Sequence, residues 1–473
     1  MGCLTLTLAA IDLGATSGRV IQGEFDGERI SYKEVHRFDN GPIPVPFADE
    51  MRFQWDYLHL WSNILTGLAK CDPLDSIGID TWAVDFGMLG PQQELLANPF
   101  SYRDPHFEAC DFEKLFKLNG LQRQNFNTIY QIQRVAERQH GLWESSRSIM
   151  LLPDLISHQL GARPVCEVTN ASTTGLLDPR TRKWSPEVFS YLEGIDVEDK
   201  LPPLVEPGSI IGHLDNRLAD FVGRQHFTAD PPAIAAVGSH DTASAVVAVP
   251  AENENFLFIS CGTWSLVGVE LEKPLINDAV RAANFTNELG AFGRTRFLKN
   301  IMGLWVFNQC FSCDDFGYLL SEAATINVNT CPVIDINDER LFQPGNMRER
   351  VLTVIREQQQ VDSVEDPWLA LVIVKSLAYA YANAIEETEK LTGKTIEKIH
   401  LVGGGMNNHL LCQLTADVCK RDVITGPSEA TALGNFAMNL VSRGDLENDP
   451  QAVRRVISNS VETTVYTPRK VRK

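Results

Sequence analysis

Residues 6–19 read LTLAAIDLGATSGR, and this stretch decides the fold. An apolar run ends at Asp12, a turn rich in Gly, Ser and Thr follows, and GRVIQGEF over residues 18–25 forms a second extended segment. Asp26-Gly27 is then typical of a hairpin turn before ERISYKEVHRF at residues 28–38. The sequence therefore predicts a three-stranded antiparallel meander at the start of the chain.

A similar hairpin recurs about half a chain later. FLFISCGTWSLVGVEL covers residues 256–271, and ISCGTWSLVG within it aligns with IDLGATSGRV, so Gly14 and Gly262 fall at equivalent turns. Strand patterns alternate with helix patterns after each hairpin, which indicates an α/β fold. We expect two domains of similar topology, at residues 1–250 and 251–473, each built on a mixed sheet and separated by an interdomain cleft.

Capping and periodicity signals predict the helices between these strands. Asp56 is expected to cap the first helix. The apolar positions at helical spacing in that helix are Leu58, Trp61, Leu65 and Leu68. A long apolar helix is predicted over residues 367–392, ending at Gly393. Because Lys375 interrupts its apolar run, we expect it to be buried in the protein rather than to span a membrane.

Composition excludes several classes of protein. Apolar residues make up 44% of the 473 residues and charged residues 22%, as in ordinary folded proteins. A net charge of −19 disfavours partners with phosphate backbones or anionic lipid surfaces. The ten cysteines are scattered and the N-terminus has no signal-peptide pattern, so we expect a cytoplasmic protein without nucleic-acid or membrane partners. The number of subunits stays open.

Two turns are candidate phosphate-binding sites, because successive backbone N–H groups in such turns can point at an anion. The second consists of Gly262 and Thr263. The first consists of Ala15, Thr16, Ser17, Gly18 and Arg19. Each alone is better described as a hairpin turn, but the pair favours a nucleoside triphosphate held between the domains. Asp12, directly before the first turn, either holds the hydration shell of a Mg²⁺ ion or caps the turn.

Two strand-to-helix junctions carry further candidates. Gly403-Gly404-Gly405 leaves room for a base or ribose against the backbone, or for tight packing of the strand on the helix. In VGSHDT at residues 237–242, Asp241 is either a helix cap or a base that removes a proton in a cleft. The close pair Cys310 and Cys313 lacks further ligands for zinc, so we favour buried thiols there.

Taken together, AIDLGATSGRV, SIGIDTWAVDF, VGSHDTASAV, SCGTWSLVG, FLKNIMGLW and LVGGGMNN resemble the FGGY family of carbohydrate kinases. That family has two similar ribonuclease-H-like domains of the actin and hexokinase superfold. The pairing of SHDTASAV with LKNIMGLW is similar to the subgroup that phosphorylates L-rhamnulose at its 1-hydroxyl with ATP and Mg²⁺. The resemblance therefore implies such a kinase, with a kinase for L-fuculose or a pentulose, or a non-catalytic nucleotide-gated member of the superfold, as alternatives.

The resemblance also implies roles for single residues. Asp241 would be the proton acceptor, and Asp12 would lie near Mg²⁺. The sugar would be held by Ala83, His240, Thr242 and Asn300. ATP would be contacted by Ala15, Thr16, Ser17, Gly18, Arg19, Thr263, Asn308 and Gly404. Ala83 stands where the subgroup is expected to have glycine, and Asn308 where it is expected to have glutamine. The extra methyl group of Ala83 could narrow the sugar pocket or shift its preference.

Overall fold

The computed structural model describes residues 5–48, 50–108, 111–223, 231–311, 316–342, 345–361 and 364–469. The chain packs into two compact units, and neither is continuous in sequence. The first consists of Met1–Ala248, Glu270–Phe297 and Thr431–Ser460, and the second of Val249–Val269, Leu298–Ala430 and Val461–Lys473. Two segments from the second half of the chain therefore pack with the N-terminal segment.

The strands of the described residues are β1 (Leu6–Leu13), β2 (Ser17–Phe25), β3 (Ile30–Asp39), β4 (Pro42–Phe47), β5 (Glu50–Trp55), β6 (Ser76–Thr81), β7 (Phe86–Leu89), β8 (Ser148–Leu151), β9 (Cys166–Glu167), β10 (Leu177–Asp178), β11 (Lys183–Trp184), β12 (Leu204–Val205), β13 (Ser209–His213), β14 (Ala233–Ala236), β15 (Phe256–Cys261), β16 (Trp264–Leu271), β17 (Thr286–Leu289), β18 (Thr295–Met302), β19 (Lys398–Val402), β20 (Asp422–Thr425) and β21 (Thr464–Tyr466).

The α-helices are α1 (Tyr57–Leu68), α2 (Phe112–Asn119), α3 (Thr128–Arg138), α4 (His140–Ser145), α5 (Leu152–Leu160), α6 (Val168–Ala171), α7 (Pro186–Tyr191), α8 (Asn216–Val222), α9 (Asp241–Val247), α10 (Asp278–Ala282), α11 (Trp305–Cys310), α12 (Phe316–Thr325), α13 (Met347–Arg356), α14 (Asp366–Thr392), α15 (His409–Cys419), α16 (Ala430–Arg443) and α17 (Pro450–Ser460).

The first unit is built on a six-stranded sheet with the order β13-β14-β6-β1-β2-β3. Strands β1, β2 and β3 form the predicted antiparallel meander, and β6 runs parallel to β1 on its other side. Strand β14 runs parallel to β6. The carboxyl ends of β1, β6 and β14 therefore lie along one edge of the sheet, where α/β proteins commonly bind ligands.

The second unit contains strands in the order β18-β16-β15-β19-β20-β21. Strands β15 and β16 form the second predicted hairpin, and β19 and then β20 continue the sheet in parallel with β15. This arrangement repeats that of β2, β1, β6 and β14. The structure thus confirms an α/β fold with two mixed sheets of similar topology.

Helix α1 begins as predicted but buries a different face. The Asp56 carboxylate accepts a hydrogen bond of 3.0 Å from the backbone N–H of His59, which confirms the cap. Leu58 is 73% exposed, so its placement on the buried face is wrong. The face that packs on the sheet instead consists of Tyr57, Leu60, Ile64, Leu65 and Leu68.

Helix α14 confirms the long helix predicted from the sequence. It ends at Gly393, whose φ of 69° is in the left-handed region that glycine adopts without strain. By length and composition alone this helix could cross a membrane. About two-thirds of its most apolar stretch is buried within the protein, as in the core helix of a soluble protein.

Candidate functional site

Three carboxylates gather at the carboxyl edge of the first sheet. Asp12 near the end of β1 and Asp80 near the end of β6 are paired in register. The next residue of β6, Thr81, bridges to His240, and its N–H donates to the carbonyl of Ser239 at 2.9 Å. Asp241 follows as the first residue of α9. The sheet therefore places Asp241 beside the acidic pair of β1 and β6.

Asp80 is fully buried, and its pKa is raised well above the usual value by burial and by the negative charges of Asp12 and Asp241. Its Oδ2 accepts a hydrogen bond of 2.6 Å from Nδ2 of Asn435, while its Oδ1 has no hydrogen-bond partner in the described part of the chain. Sequence reasoning did not single out Asp80. Its position near a strand end, like that of Asp12, was the available signal.

Asp12 is only 5% exposed and forms an ion pair with Arg19. The two residues face each other in register across β1 and β2, which fixes the pair. Arg19 thus neutralises part of the negative charge on this edge of the sheet. Its guanidinium contacts the Asp12 carboxylate directly.

The turn between β1 and β2 is shorter than predicted. Only Gly14, Ala15 and Thr16 form it, whereas the three residues predicted to follow in the turn, Ser17, Gly18 and Arg19, begin strand β2. Asn40 braces the turn: its N–H donates to the Thr16 carbonyl at 3.1 Å and its side chain to the Gly14 carbonyl at 2.8 Å. Thr16 itself is exposed. A rigid, accessible backbone turn therefore lies at this sheet edge.

The Asp241 side chain is 34% exposed, in contrast to its buried neighbours. Its Oδ1 accepts hydrogen bonds from the backbone N–H of Thr242 and, at 3.0 Å, from the Thr242 hydroxyl. The contacts of this carboxylate with described residues go to Oδ1, so Oδ2 is the oxygen that can accept a proton from a ligand.

A buried glutamate holds the segment that leads to Asp241. The Glu167 carboxylate accepts hydrogen bonds from the Ser239 N–H at 3.0 Å and from the Ser239 hydroxyl at 2.7 Å. It also accepts one from the Thr169 N–H at 2.9 Å. Burial raises the pKa of Glu167. Glu167 was not predicted as a site residue, because nothing in the sequence shows that it lies beside a segment 72 residues away.

Ala83 lies in a strained loop directly after β6. The next residue, Val84, has a φ of 70°, which is rare for a β-branched side chain and costs about 1–3 kcal/mol. The Val84 carbonyl accepts a hydrogen bond of 2.6 Å from the Thr128 hydroxyl. Ala83 itself is partly buried and packs against the core of the first unit.

The buried carboxylate of Asp85 fixes the same loop. It accepts hydrogen bonds from the indole N–H of Trp55 at 2.6 Å and of Trp82 at 2.9 Å, from the Gln131 amide at 2.9 Å and from the Tyr102 N–H at 3.1 Å. Burial raises the pKa of Asp85 to about 6, against the opposing effect of these donors. The loop is therefore held by a network of four donors around one carboxylate.

In the second unit, the turn between β15 and β16 is joined to α11. The Gly262 carbonyl accepts a hydrogen bond of 2.9 Å from the Leu304 N–H, and the Thr263 carbonyl accepts one of 3.2 Å from the Trp305 N–H. Helix α11 starts at Trp305 and carries Asn308, which is exposed. The structure thus places Thr263 near the start of the helix that contains Asn308. Asn300 lies half-buried in β18 of the same unit.

The three consecutive glycines after β19 differ in what surrounds them. A Cβ on Gly403 would lie 3.0 Å from the Cys261 carbonyl oxygen, and a Cβ on Gly405 would lie 2.2 Å from the Cys261 sulfur. A Cβ on Gly404 would meet nothing within 4 Å. Tight packing therefore explains Gly403 and Gly405, whereas Gly404 faces open space that a ligand can occupy.

A cavity of about 520 Å³ lies within the second unit, next to these glycines in sequence. Its wall is mostly apolar and includes Leu371 of α14, Leu410 of α15 and Leu320 of α12, with Asn407 and His409 as polar members. Ser321, Gln413, Tyr466 and Arg469 add further polar groups to the lining, so the cavity combines an apolar wall with hydrogen-bonding side chains, as is typical of sites for small organic ligands.

The first sheet edge fits a magnesium ion. In the described ranges no group of three or more His, Cys, Asp or Glu side chains could hold a metal ion. Mg²⁺ does not require such a group, since it keeps several waters and usually takes only one or two protein carboxylates beside phosphate oxygens. Asp12 and Asp80 supply two carboxylates, and the buried Oδ1 of Asp80 has no donor among the residues that the structure describes.

The sequence matches two domain models of one family. Residues 7–248 match the N-terminal domain, and residues 257–442 the C-terminal domain, of the FGGY family of carbohydrate kinases. The chain is 38% identical to a rhamnulokinase of Enterococcus faecalis over 97% of this chain and 94% of that protein. It is also 38% identical to a rhamnulokinase of Bacillus subtilis over 98% of this chain and 95% of that protein.

Solved structures share the fold at low sequence identity. A gluconate kinase and a xylulose kinase from Lactobacillus acidophilus each align with a TM-score of 0.78 at 16% identity, over 98% of this chain and 94% of theirs. A glycerol kinase from Plasmodium falciparum, solved with ADP, aligns with a TM-score of 0.73 at 13% identity over the same shares of both chains. The chain belongs to the FGGY family of carbohydrate kinases and is a sugar kinase.

Proposed function

We propose that this sugar kinase transfers the γ-phosphoryl group of ATP to the 1-hydroxyl of L-rhamnulose. The observation that carries the proposal is the position of Asp241, a partly exposed carboxylate beside the acidic pair Asp12 and Asp80 at the carboxyl edge of a sheet. Rhamnulokinases related to this chain over nearly its full length support the choice of sugar.

Asp241 acts as the general base in this proposal. Its Oδ1 is held by Thr242, so Oδ2 accepts the proton of the sugar hydroxyl. The sugar oxygen then forms a bond to the γ-phosphorus while the bond from that phosphorus to the bridging oxygen of ADP breaks. Sugar phosphate and ADP are the products, and the proton leaves from Asp241 to water. Phosphoryl transfer of this kind depends mainly on positioning and on neutralising charge.

We assign nucleotide binding to two backbone turns and to residues near the glycines. The backbone N–H groups of Ala15, Thr16 and Thr263 donate to phosphate oxygens. Ser17 and Gly18 at the start of β2 hold the first turn in place through their pairing with β1 and β3. Gly404 and Asn308 lie on the nucleotide side, and the apolar cavity next to the glycines accommodates the base.

Mg²⁺ fits the same proposal. Asp12 and Asp80 would hold its hydration shell, and Arg19 orients Asp12 through their ion pair. When bound, the ion neutralises negative charge on the phosphates. This matters for a chain with a net charge of −19, whose field opposes the approach of a polyanion.

The sugar side of the proposal consists of Ala83, His240, Thr242 and Asn300. The loop with Ala83 is fixed by the Asp85 network, and the Thr242 hydroxyl acts on the sugar through Asp241. Ala83 also supports a second candidate, a kinase for L-fuculose or a pentulose, because its methyl group occupies a position where we expect glycine. A cytoplasmic location is supported by the full-length similarity to sugar kinases and by the burial of α14.

A coupled ADP-release assay over a panel of ketoses tests the proposal. We expect kcat/KM for L-rhamnulose to exceed that for L-fuculose, L-ribulose and D-xylulose, with ³¹P NMR showing a 1-phosphate product. Ala83→Gly is the matched variant. If the methyl group of Ala83 narrows the sugar pocket, removing it with this substitution lowers KM for L-rhamnulose. A kcat/KM at least tenfold higher for another ketose would replace L-rhamnulose by that sugar, and ADP release without any sugar dependence would contradict the proposal.

A further inference from the structure

His240 stands between Asp241 and a buried pair of opposite charges. Its Nε2 lies 3.4 Å from Oδ1 of Asp241. On the other side of the ring, Nδ1 lies 3.1 Å from Nη2 of Arg296 and 3.5 Å from Oε2 of Glu288. Arg296 and Glu288 are themselves 3.2 Å apart. All four residues belong to the first unit.

The contact with Arg296 decides which ring nitrogen carries the proton. A guanidinium group has only donors, so Nδ1 must accept its hydrogen bond, and a neutral ring with an unprotonated Nδ1 carries its proton on Nε2. Nε2 is the ring nitrogen that lies 3.4 Å from Oδ1 of Asp241. The distance of 3.4 Å is long for a hydrogen bond, as is common for catalytic contacts before the substrate is bound.

The positions of Arg296 and Glu288 are fixed by the surrounding fold. Arg296 is fully buried in β18, and its Nε donates to the carbonyl of Leu289 at 3.1 Å. Leu289 is the last residue of β17, next to Glu288, and its N–H donates to the hydroxyl of Ser172 at 2.8 Å. Burial raises the pKa of Glu288, but the positive charge of Arg296 outweighs this effect and holds it below its usual value.

We propose that Arg296 is a positioning residue for the kinase reaction: by donating to Nδ1 it keeps the ring proton of His240 on Nε2, the nitrogen nearer to Asp241, so that His240 orients Asp241. This inference rests on the proposed role of Asp241 as the base. Without Arg296, Glu288 remains 3.5 Å from Nδ1, and because a carboxylate only accepts hydrogen bonds, the ring proton moves to Nδ1. Nε2 then faces Oδ1 of Asp241 with a lone pair and no longer orients the carboxylate.

The decisive variants separate this role from simple packing. Arg296→Met removes the donor and the charge, and we expect kcat to fall about 100-fold. This is within the range measured when a general base is lost or when the histidine beside it adopts the wrong tautomer. Arg296→Met/Glu288→Gln removes both charges and offers an amide N–H to Nδ1, so we expect kcat to recover to within about tenfold of the wild type. KM for ATP should stay unchanged in both.

The matched control is Arg454→Met. Arg454 forms a buried ion pair with Glu270 in the same unit, and its loss also leaves a buried carboxylate without its cation. We expect a comparable loss of thermal stability with kcat within twofold of the wild type. An equal fall of kcat in Arg454→Met would mean that loss of stability, not the state of His240, lowers the rate.

Nitrogen-15 NMR of the histidine rings gives a readout that needs no turnover. The wild-type protein should show the ring proton of His240 on Nε2, assigned by comparison with His240→Asn. Arg296→Met should show that proton on Nδ1. A doubly protonated or Nδ1-protonated His240 in the wild type overturns the inference even if Arg296→Met fails to fold. Because this spectrum is independent of substrate, its failure is distinguishable from failure of the proposed function.

Discussion

The two sheets share one topology, but the residues at the ends of their strands differ in chemical type. In the first, β1 and β6 carry Asp12 and Asp80 near their ends, and Asp241 follows β14. In the second, β15 ends at Cys261, while glycines, Gly403 and Gly426, follow β19 and β20. The comparison teaches that a hairpin with two parallel neighbours is only a scaffold, and that the residues at the strand ends decide what each copy does.

The difference has an energetic side. Burial and neighbouring negative charges raise the pKa of Asp80, so its ionised form lowers the stability of the first unit. The corresponding edge of the second sheet ends in Cys261 and glycines, and the glycines allow close packing and close approach of a ligand. The first edge thus carries buried charge that lowers the stability of its unit. The second edge carries glycines, which leave space because they have no side chains.

The variant with the largest expected effect tests whether Asp241, at the edge of the first sheet, removes the proton of the sugar hydroxyl. Asp241→Asn keeps an acceptor for Thr242 but removes the base, so we expect kcat to fall about 10²- to 10⁴-fold, the range typical of general bases. A coupled ADP-release assay measures kcat, and calorimetry should show unchanged ATP binding. Near-normal turnover in this folded variant would remove Asp241 from the mechanism.

The next effect tests the charge of the first edge. Asp80→Asn retains an oxygen acceptor for Asn435 and removes a buried charge from the neighbourhood of Asp12 and Asp241, so thermal stability should rise. The concentration of Mg²⁺ giving half-maximal activity should rise about 10- to 100-fold, as when a group that supports a metal site is lost. Opposite changes in stability and activity mark a site kept for function.

Asn439→Ala serves as the control for Asp80→Asn. Asn439 contacts Asn435 from the same helix and accepts a hydrogen bond from Ser76 at 2.6 Å, but it is not one of the carboxylates. We expect it to lower stability without changing the Mg²⁺ dependence. If Asp80→Asn left the Mg²⁺ dependence unchanged, the acidic pair would not hold the ion.

Local patterns in the sequence were sufficient for most of the fold. The meander, the second hairpin, α14 with its end at Gly393, and α15 over residues 409–419 follow from short-range signals. The buried face of α1 was wrong because Leu58 and Leu60 are equally apolar, and only packing on the sheet selects between two faces that differ by a fraction of a turn.

The site was only partly predictable for a related reason. Asp12, Asp241 and Gly404 stand at turns that a sequence shows directly. Glu167 contacts Ser239 from 72 positions away and Arg296 contacts His240 from 56 positions away, and such contacts arise from tertiary packing alone. Likewise, no local pattern shows that residues 270–297 and 431–460 pack with the first unit.

A smaller effect tests the loop that carries Ala83. Asp85→Asn replaces an acceptor of four hydrogen bonds by an amide whose NH₂ group faces donors, so we expect KM for the ketose to rise about tenfold, equivalent to about 1.4 kcal/mol, with kcat and KM for ATP little changed. Steady-state kinetics with each substrate varied separately measures the split. An equal rise in KM for ATP would contradict a role confined to the sugar side.

The same carboxylate predicts a pH dependence. The pKa of Asp85 is about 6 in the folded protein, above its usual value, so the folded state binds this proton more tightly than the unfolded state does. Asp85 therefore contributes a loss of stability of about 3 kcal/mol as pH rises from 4 through 6. The difference in unfolding free energy between wild type and Asp85→Asn should change over this window. A difference that stays constant from pH 4 to 7 would contradict the raised pKa.

The smallest effect compares two adjacent glycines of the second edge. Gly405→Ala places a Cβ 2.2 Å from the Cys261 sulfur, so we expect a loss of about 1–3 kcal/mol in unfolding free energy from overpacking. Gly404→Ala meets no atom within 4 Å, so stability should change by less than about 0.5 kcal/mol while KM for ATP rises a few-fold. Denaturant unfolding and steady-state kinetics separate the two. If Gly404→Ala left KM for ATP unchanged, the open space at this edge would not belong to the nucleotide, and the second sheet would contribute only packing there.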